Sequence, residues 1–244
     1  MSYSYSEDQL IQRNAAELLE KELGWTSVYA FDKEVLDVNG TLGRTSYHEV
    51  LLTGRFRKAL KTLNPWLTDK QLQECMERMT EHMSSQTLMQ INEQKYQYIK
   101  DGVPVTRVKP NGETEDVRAK VIDFASPEKN DFLCVREMWV YGALYHRRAD
   151  IVGFVNGLPL LFIELKNHDV EVVDAFNKNY REYLDTIPQL FYHNAFLMFS
   201  NGLEARVGTI DSKWEFFHSW KNSHFESMVP TRASSPLLNM IKAL

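Results

Sequence analysis

Apolar residues in the first hundred positions recur at helical spacing. Leu10, Ile11, Ala15, Leu18, Leu19 and Leu23 form one stripe between Glu7 and Leu23, with Ser6 placed to cap its start and Gly24 to stop it. The helical pattern resumes from Tyr47 to Leu63 and ends at Asn64-Pro65. It returns from Thr68, a capping residue, to Met83, and again from Ser85 to Lys100. The period changes at Asp101. VPVTRV and VRAKVIDF flank a Pro-Asn-Gly turn and read as two strands, and FLCVREMWVY (Phe132 to Tyr141) reads as a third. RADIVGFVNGLPLLFIELK (Arg148 to Lys166) has the pattern of two buried strands around Asn156-Gly157. A helix follows from Asp169 to Asp185. Two more strands, Ala195 to Phe199 and Leu203 to Val207, flank Ser200-Asn201-Gly202.

This order predicts an α/β unit with a mixed central sheet flanked by helices and a helical extension in front. The tail from Ser212 is rich in Trp and Phe and closes with a helix from Pro236 to Leu244. The chain stops inside that apolar pattern, which predicts a fragment of something longer.

Composition changes the picture little. The chain has 244 residues, 43% of them hydrophobic and 25% charged, with a net charge of -5. That is ordinary for a globular protein and carries no global basic signature of a nucleic-acid binder. A local basic track would still serve a nuclease with an acidic metal site. Cys75 and Cys134 lie far apart and outside any CxxC, so neither a disulfide framework nor a zinc site is expected. The polar N-terminus has no signal-peptide core, and no apolar run reaches the ~18 residues of a membrane span. A cytoplasmic protein with no membrane contact is the expectation.

The hairpin carries the chemistry. Asp150 opens it, and Glu164 and Lys166 close it with Leu165 between. Glu164 and Lys166 are two apart on a strand and leave the same face. A two-residue Asn156-Gly157 turn would pair Val155 with Leu158 and hence Asp150 with Ile163, sending Asp150 away from Glu164. A three-residue loop or one bulge would shift the register by one and bring the three together. Two converging carboxylates plus the Leu165 carbonyl would offer hard oxygen ligands for Mg²⁺. Lys166 would then lie near a metal-bound water and a scissile phosphate. The competing reading is a strand cap at Asp150 and a surface ion pair between Glu164 and Lys166.

These residues resemble the nuclease core of the R (HsdR) subunit of type I restriction enzymes, which has a restriction-endonuclease-like PD-(D/E)XK fold. NDFLCVREMWV (Asn130 to Val140), TIPQLFYHNAFLMFSNGLEARVGT (Thr186 to Thr209) and YHEVLLTGRFRKALKTLNP (from Tyr47) resemble further segments of that family, so the likeness runs from about Glu7 to Phe217. It implies that Asp150 and Glu164 bind metal and that Lys166 is the catalytic lysine. The family's Q-x-x-x-Y motif falls on Asn179 and Tyr183, with Asn in place of Gln. A first-helix Glu joins the site in many such nucleases, and Glu7 and Glu17 are both candidates. The resemblance also implies a Mg²⁺-dependent endonuclease acting on double-stranded DNA without its own sequence specificity. Its partners would be M (methyltransferase) and S (specificity) subunits.

Complete R subunits also carry an ATP-driven motor. This chain has no G-x-x-x-x-G-K-[ST], so ATP would be used by the full subunit and not bound here. The expected organisation is one nuclease domain over residues 1–244. It comprises a helical part (about 7–100), an α/β core (about 101–217) and a tail (218–244) leading to the motor. Two alternatives stay open: a catalytically idle module of the same fold that binds DNA or subunits, and a related repair nuclease.

Other charged groups are read beside their plainer roles. His146-Arg147-Arg148 could contact phosphate next to the metal or could be a solvated strand start. Lys178 and Arg181 could line a DNA track but fit an ordinary exposed helix face. Arg55, Arg57, Lys58 and Lys61 form a basic helix stretch. His82, His193 and His218 show no metal-ligand spacing. Trp214, Phe216, Phe217 and Trp220 suit either core packing of the tail or a docking surface for the motor.

Overall fold

A computed structural model describes residues 7–109, 111–220 and 236–242. Its centre is a seven-stranded sheet in the order β1-β4-β5-β6-β7-β8-β9. The strands are β1 (Thr26–Tyr29), β4 (Phe132–Tyr141), β5 (His146–Val155), β6 (Leu158–Leu165), β7 (Phe196–Ser200), β8 (Ala205–Gly208) and β9 (His218–Ser219). The sheet is mixed: β1 pairs parallel with β4 and β6 parallel with β7, and the other neighbours are antiparallel. The α/β architecture with a mixed, helix-flanked sheet is the one the pattern predicts.

Helix α1 (Glu7–Lys21) and the closing helix α7 (Pro236–Lys242) cover one face of the sheet. Their Ala15, Leu19, Leu237 and Ile241 bury against Cys134, Ile151, Ile163 and Met198. The other face is covered by the segment after β6. This starts as α5 (Val172–Asp174), widens into a π-helical stretch (Ala175–Tyr180) and continues as α6 (Arg181–Thr186). Phe176, Tyr180 and Tyr183 bury there against Phe162, Phe191 and Phe199. A third cluster joins α2 (Thr53–Leu63) and α3 (Asp69–Thr80) to a separate hairpin, β2 (Val103–Val108) and β3 (Thr114–Ala119). Helix α4 (Leu88–Asp101) closes the helical part.

Several elements differ from the sequence reading. The mainly helical front also holds β1, a four-residue strand that reaches the sheet by pairing Thr26 with Leu133. So short a segment shows little periodicity of its own. The helix expected from Tyr47 begins at Thr53. The preceding residues are held in an irregular path by Arg44, whose guanidinium binds Glu34 and the carbonyls of Glu49 and Trp139. Helices α3 and α4 begin one residue after Thr68 and Thr87. Both threonines form capping boxes, with Gln71 and Gln90 respectively. Much of the tail belongs to the fold, since Phe217 lies in the core of one face and α7 in the core of the other. Trp214 packs on Phe217 with ring centroids 5.6 Å apart, whereas Phe216 is exposed. Ser6, expected to cap α1, and Pro110 of the β2–β3 turn lie outside the described residues.

The hairpin answers the register question. Its turn is the tight one: Val155 pairs with Leu158, and Asn156 and Gly157 have φ of 54° and 81°. That register alone would separate the acids. A bulge between Gly153 and Phe154 corrects it. Phe154 pairs with Pro159 but Gly153 with Leu161, leaving Leu160 as the extra residue. Ile151 therefore faces Ile163, and the next positions along are Asp150 and Glu164. The turn is built into the fold: Asn156 Nδ2 donates to Val121 O at 2.8 Å, and a Cβ on Gly157 would lie 2.6 Å from the Leu52 carbonyl.

Candidate active site

The β5–β6 ladder ends at Ile151 and Ile163, and the charged residues begin one step beyond. Asp150 reaches across the opening strands, its Oδ2 accepting the Leu165 main-chain N–H at 2.7 Å. Glu164 is buried, and its Oε1 lies 3.4 Å from Lys166 Nζ. Its other oxygen, Oε2, is buried with no hydrogen-bond partner among the described residues. Lys166 is fixed just past the strand by its N–H, which donates to Ser200 O at 2.9 Å. Asp150, Glu164, Leu165 and Lys166 thus converge at one rim of the sheet, with Leu165 contributing its N–H to Asp150.

The helical segment after β6 adds to the same place. The Tyr183 hydroxyl donates to the Arg148 carbonyl at 2.9 Å, and it stands beside the Glu164 and Asp150 carboxylates, with the Asn179 side chain next to it. Asn179 lies in the π-helical stretch and Tyr183 in α6, so the wide turn sets their relative aim. Burial, and then the nearby carboxylates, push the Tyr183 phenol far above its ordinary range.

The acids are electrostatically strained. Burial raises the Asp150 pKa to about 7, with Glu137 adding to the rise against the Leu165 N–H, Lys166 and Arg148. Burial also raises Glu164 well above the usual carboxylate range, followed by repulsion from Asp150 and opposed by Lys166. Two neighbouring carboxylates sharing one ammonium are short of positive charge.

Two residues that the sequence reading passed over complete the surroundings. Glu137 of β4 stands opposite Asp150, and neither is paired in the β4–β5 ladder between Arg136–Ile151 and Met138–Ala149. Glu137 has a left-handed φ of 56°, unusual for a non-glycine residue in a strand. It is buried, accepts from Gln12 Nε2 of α1 at 2.7 Å and is ion-paired to Arg148 Nε. The available signal was the Arg136-Glu137 charge pair interrupting the apolar run of β4.

Among the described residues, Gln12 of the first helix reaches this network. Glu17 sits between Arg13 and Lys21, 2.8 and 3.2 Å away. The Glu7 side chain lies outside the described residues. The His146-Arg147-Arg148 run is divided by the strand pleat. Arg147 pairs with Glu182 of α6 at 2.6 Å, while Arg148 turns toward Trp139 on the other side. Lys178 pairs with Asp174 on an exposed helix face. Arg55 pairs with Asp131, and buried His193 bonds to the Met79 carbonyl.

The donor set decides which metals fit. Among the described residues no group of three or more His, Cys, Asp or Glu is placed to hold a metal ion. Two carboxylates, one with an unused buried oxygen, suit a small hard cation that keeps several waters, as Mg²⁺ does. No described helix is long and apolar enough to cross a membrane.

The chain is 31% identical over 221 residues to a putative type I restriction enzyme MjaIXP endonuclease subunit of Methanocaldococcus jannaschii, covering 88% of this chain and 20% of that protein. It is 30% identical over 205 residues to the type I restriction enzyme HindI endonuclease subunit of Haemophilus influenzae, covering 82% of this chain and 19% of that protein. The chain therefore spans about a fifth of the length of these relatives. Residues 4–216 match the family described as the type I restriction enzyme R protein N terminus, and the chain belongs to that family.

Proposed function

We propose that this chain is the nuclease domain of a type I restriction R subunit and hydrolyses phosphodiester bonds of double-stranded DNA at the Asp150–Glu164–Lys166 rim. The observation that carries the reading is the buried, unpartnered Oε2 of Glu164 beside Asp150, with Lys166 Nζ 3.4 Å from the other Glu164 oxygen. Asp150 and Glu164 would hold Mg²⁺, which when bound acidifies a water and polarises a phosphoryl oxygen.

The protein groups do the rest. The Leu165 N–H orients Asp150 through Oδ2. Lys166 neutralises Glu164 at rest and is placed to position or deprotonate the attacking water, or to stabilise charge on the phosphate. Tyr183 and Asn179 wall the acids on the helix side. Cleavage without sequence preference of its own, with the target taken from a separate S subunit, belongs to this reading. M and S subunits, a motor that uses ATP, and a cytoplasmic location belong to the same reading.

The test is plasmid cleavage by the complete R subunit assembled with M and S subunits, ATP and Mg²⁺. Asp150→Ala and Lys166→Ala should each abolish cleavage and spare ATP hydrolysis. Persistent cleavage in either variant would refute the site. Full ATPase with no cleavage by the unmutated complex would favour the idle-module alternative.

A further inference from the structure

Beside the acids, on the side of Arg148, the sheet carries a run of rings and guanidinium groups that the hydrolytic chemistry does not use. The Arg148 guanidinium lies over Phe31, 4.8 Å from the ring centroid, and 5.8 Å from that of Trp139. Trp139 is the cross-strand partner of Arg148, and its indole N–H donates to the Phe31 carbonyl at 3.1 Å. The next rung but one pairs Tyr141 with His146, ring centroids 5.0 Å apart. On the other side, Arg136 covers Tyr29 at 5.1 Å. The run is part-exposed: Phe31 is 39% exposed and the Arg148 side chain 40%, while Tyr141, 36% exposed, lies between the Tyr47 and His146 rings at 4.9 and 5.0 Å.

The arrangement is also held in place. The buried pair of Glu137 and Gln12 anchors Arg148 from below. Glu137 neutralises part of its charge, leaving the flat guanidinium as much a stacking surface as a cation. Asp32, which acts on Tyr29 electrostatically, further lowers the charge of this face. A duplex offers phosphates to a protein and keeps its base faces covered. A tract with modest net charge and part-exposed aromatic and guanidinium groups suits bases that have left the stack.

We infer that the face formed by Phe31, Trp139 and Arg148 binds unpaired DNA nucleotides next to the cleavage site by stacking, with Glu137 and Gln12 as positioning residues for Arg148. This deepens the nuclease reading and rests on it. Stacking accepts every base, which fits a site without sequence preference.

The test uses the chain carrying Asp150→Asn, in EDTA, so that nothing is cut. Fluorescence anisotropy compares a labelled single-stranded oligothymidylate with a labelled duplex of equal length. Phe31→Ala, an exposed position that should not disturb folding, and Arg148→Lys, which keeps charge but loses the plane, should each weaken oligothymidylate binding about fivefold or more. Duplex binding should change less than about twofold on the same stacking argument. Equal losses for both ligands would reduce the face to a phosphate contact, and unchanged oligothymidylate binding in Phe31→Ala would overturn the proposal. Neither result bears on the hydrolytic site, which stands or falls on cleavage by Asp150→Ala and Lys166→Ala.

Discussion

The Asp150 carboxylate accepts the Leu165 main-chain N–H at 2.7 Å, at the point where the β5–β6 ladder stops. One oxygen of Asp150 thus replaces a strand carbonyl, and this structural role and the proposed metal binding would depend on different properties of the side chain. Asparagine can still accept from Leu165 but lacks the charge. Asp150→Asn should therefore fold at least as stably as the parent in EDTA and lose the Mg²⁺-induced rise in melting temperature. Asp150→Ala leaves the N–H unpaired and should cost about 1–3 kcal/mol. Thermal melts of the three chains with and without Mg²⁺ check this. Equal destabilisation by Asn and Ala would mean that the hydrogen bond contributes nothing.

The raised carboxyl pKa values set a pH dependence. Asp150 titrates near 7 in the folded chain, against an unfolded value of about 3.9. Glu164 is shifted in the same direction. The folded state therefore binds more protons than the unfolded one in this window, and stability falls as pH rises. The stabilisation is fully present below about pH 4 and is lost as pH passes about 7. Metal-free chain should lose on the order of 4 kcal/mol over that range from this pair, and Glu164→Gln should remove part of the loss. Urea titrations at several pH values in EDTA measure it. A stability flat across the window, or falling by as much in Glu164→Gln as in the parent, would contradict the assignment.

Legibility in the sequence followed the length of each pattern. The long strands β4, β5 and β6 and the stripe of α1 show their period over many residues, and Asp150, Glu164 and Lys166 stand out against an apolar run. A tight turn brings the acids together only with a bulge, and the extra residue is Leu160. What escaped depends on contacts distant in sequence. Gln12 and Glu137 are 125 positions apart and meet only because α1 crosses β4. The Glu137 φ of 56° has no local signature, since its side chain is satisfied by α1 and β5 rather than by its own turn. Strand β1 is visible only through its partner β4.

Tyr183 gives a separable prediction. Its hydroxyl donates to the Arg148 carbonyl, so it ties α6 to the strand that carries Asp150. Tyr183→Phe keeps the ring, which packs edge-on to Phe162 with centroids 5.8 Å apart, and removes the bond. The expected cost is about 1–2 kcal/mol of stability. Cleavage by the full complex should slow with Mg²⁺ affinity nearly unchanged, because Tyr183 borders the acids without supplying a metal ligand. Calorimetric Mg²⁺ titration beside a cleavage time course distinguishes this from a residue that holds the metal, whose loss would weaken both.

The Arg44–Glu34 pair tests how the aromatic face is supported. Arg44 and Glu34 are almost wholly buried, with side-chain exposures of 0% and 1%. Arg44 also donates to the Trp139 carbonyl and lies over the Tyr47 ring, 5.3 Å from its centroid. Truncating one member leaves the other charge buried and uncompensated, so Glu34→Gln or Arg44→Met should each cost about 3–5 kcal/mol. The double variant should be less destabilised than the sum, since it buries no lone charge. The losses should reach Phe31 and Trp139 before Asp150, because Arg44 grips the segment after β1 and the Trp139 main chain. Hydrogen exchange of the Glu34→Gln chain would show this as faster exchange in residues 30–52 and around Trp139 with β6 still protected. Uniform loss of protection across the sheet would show instead that the pair supports the whole fold.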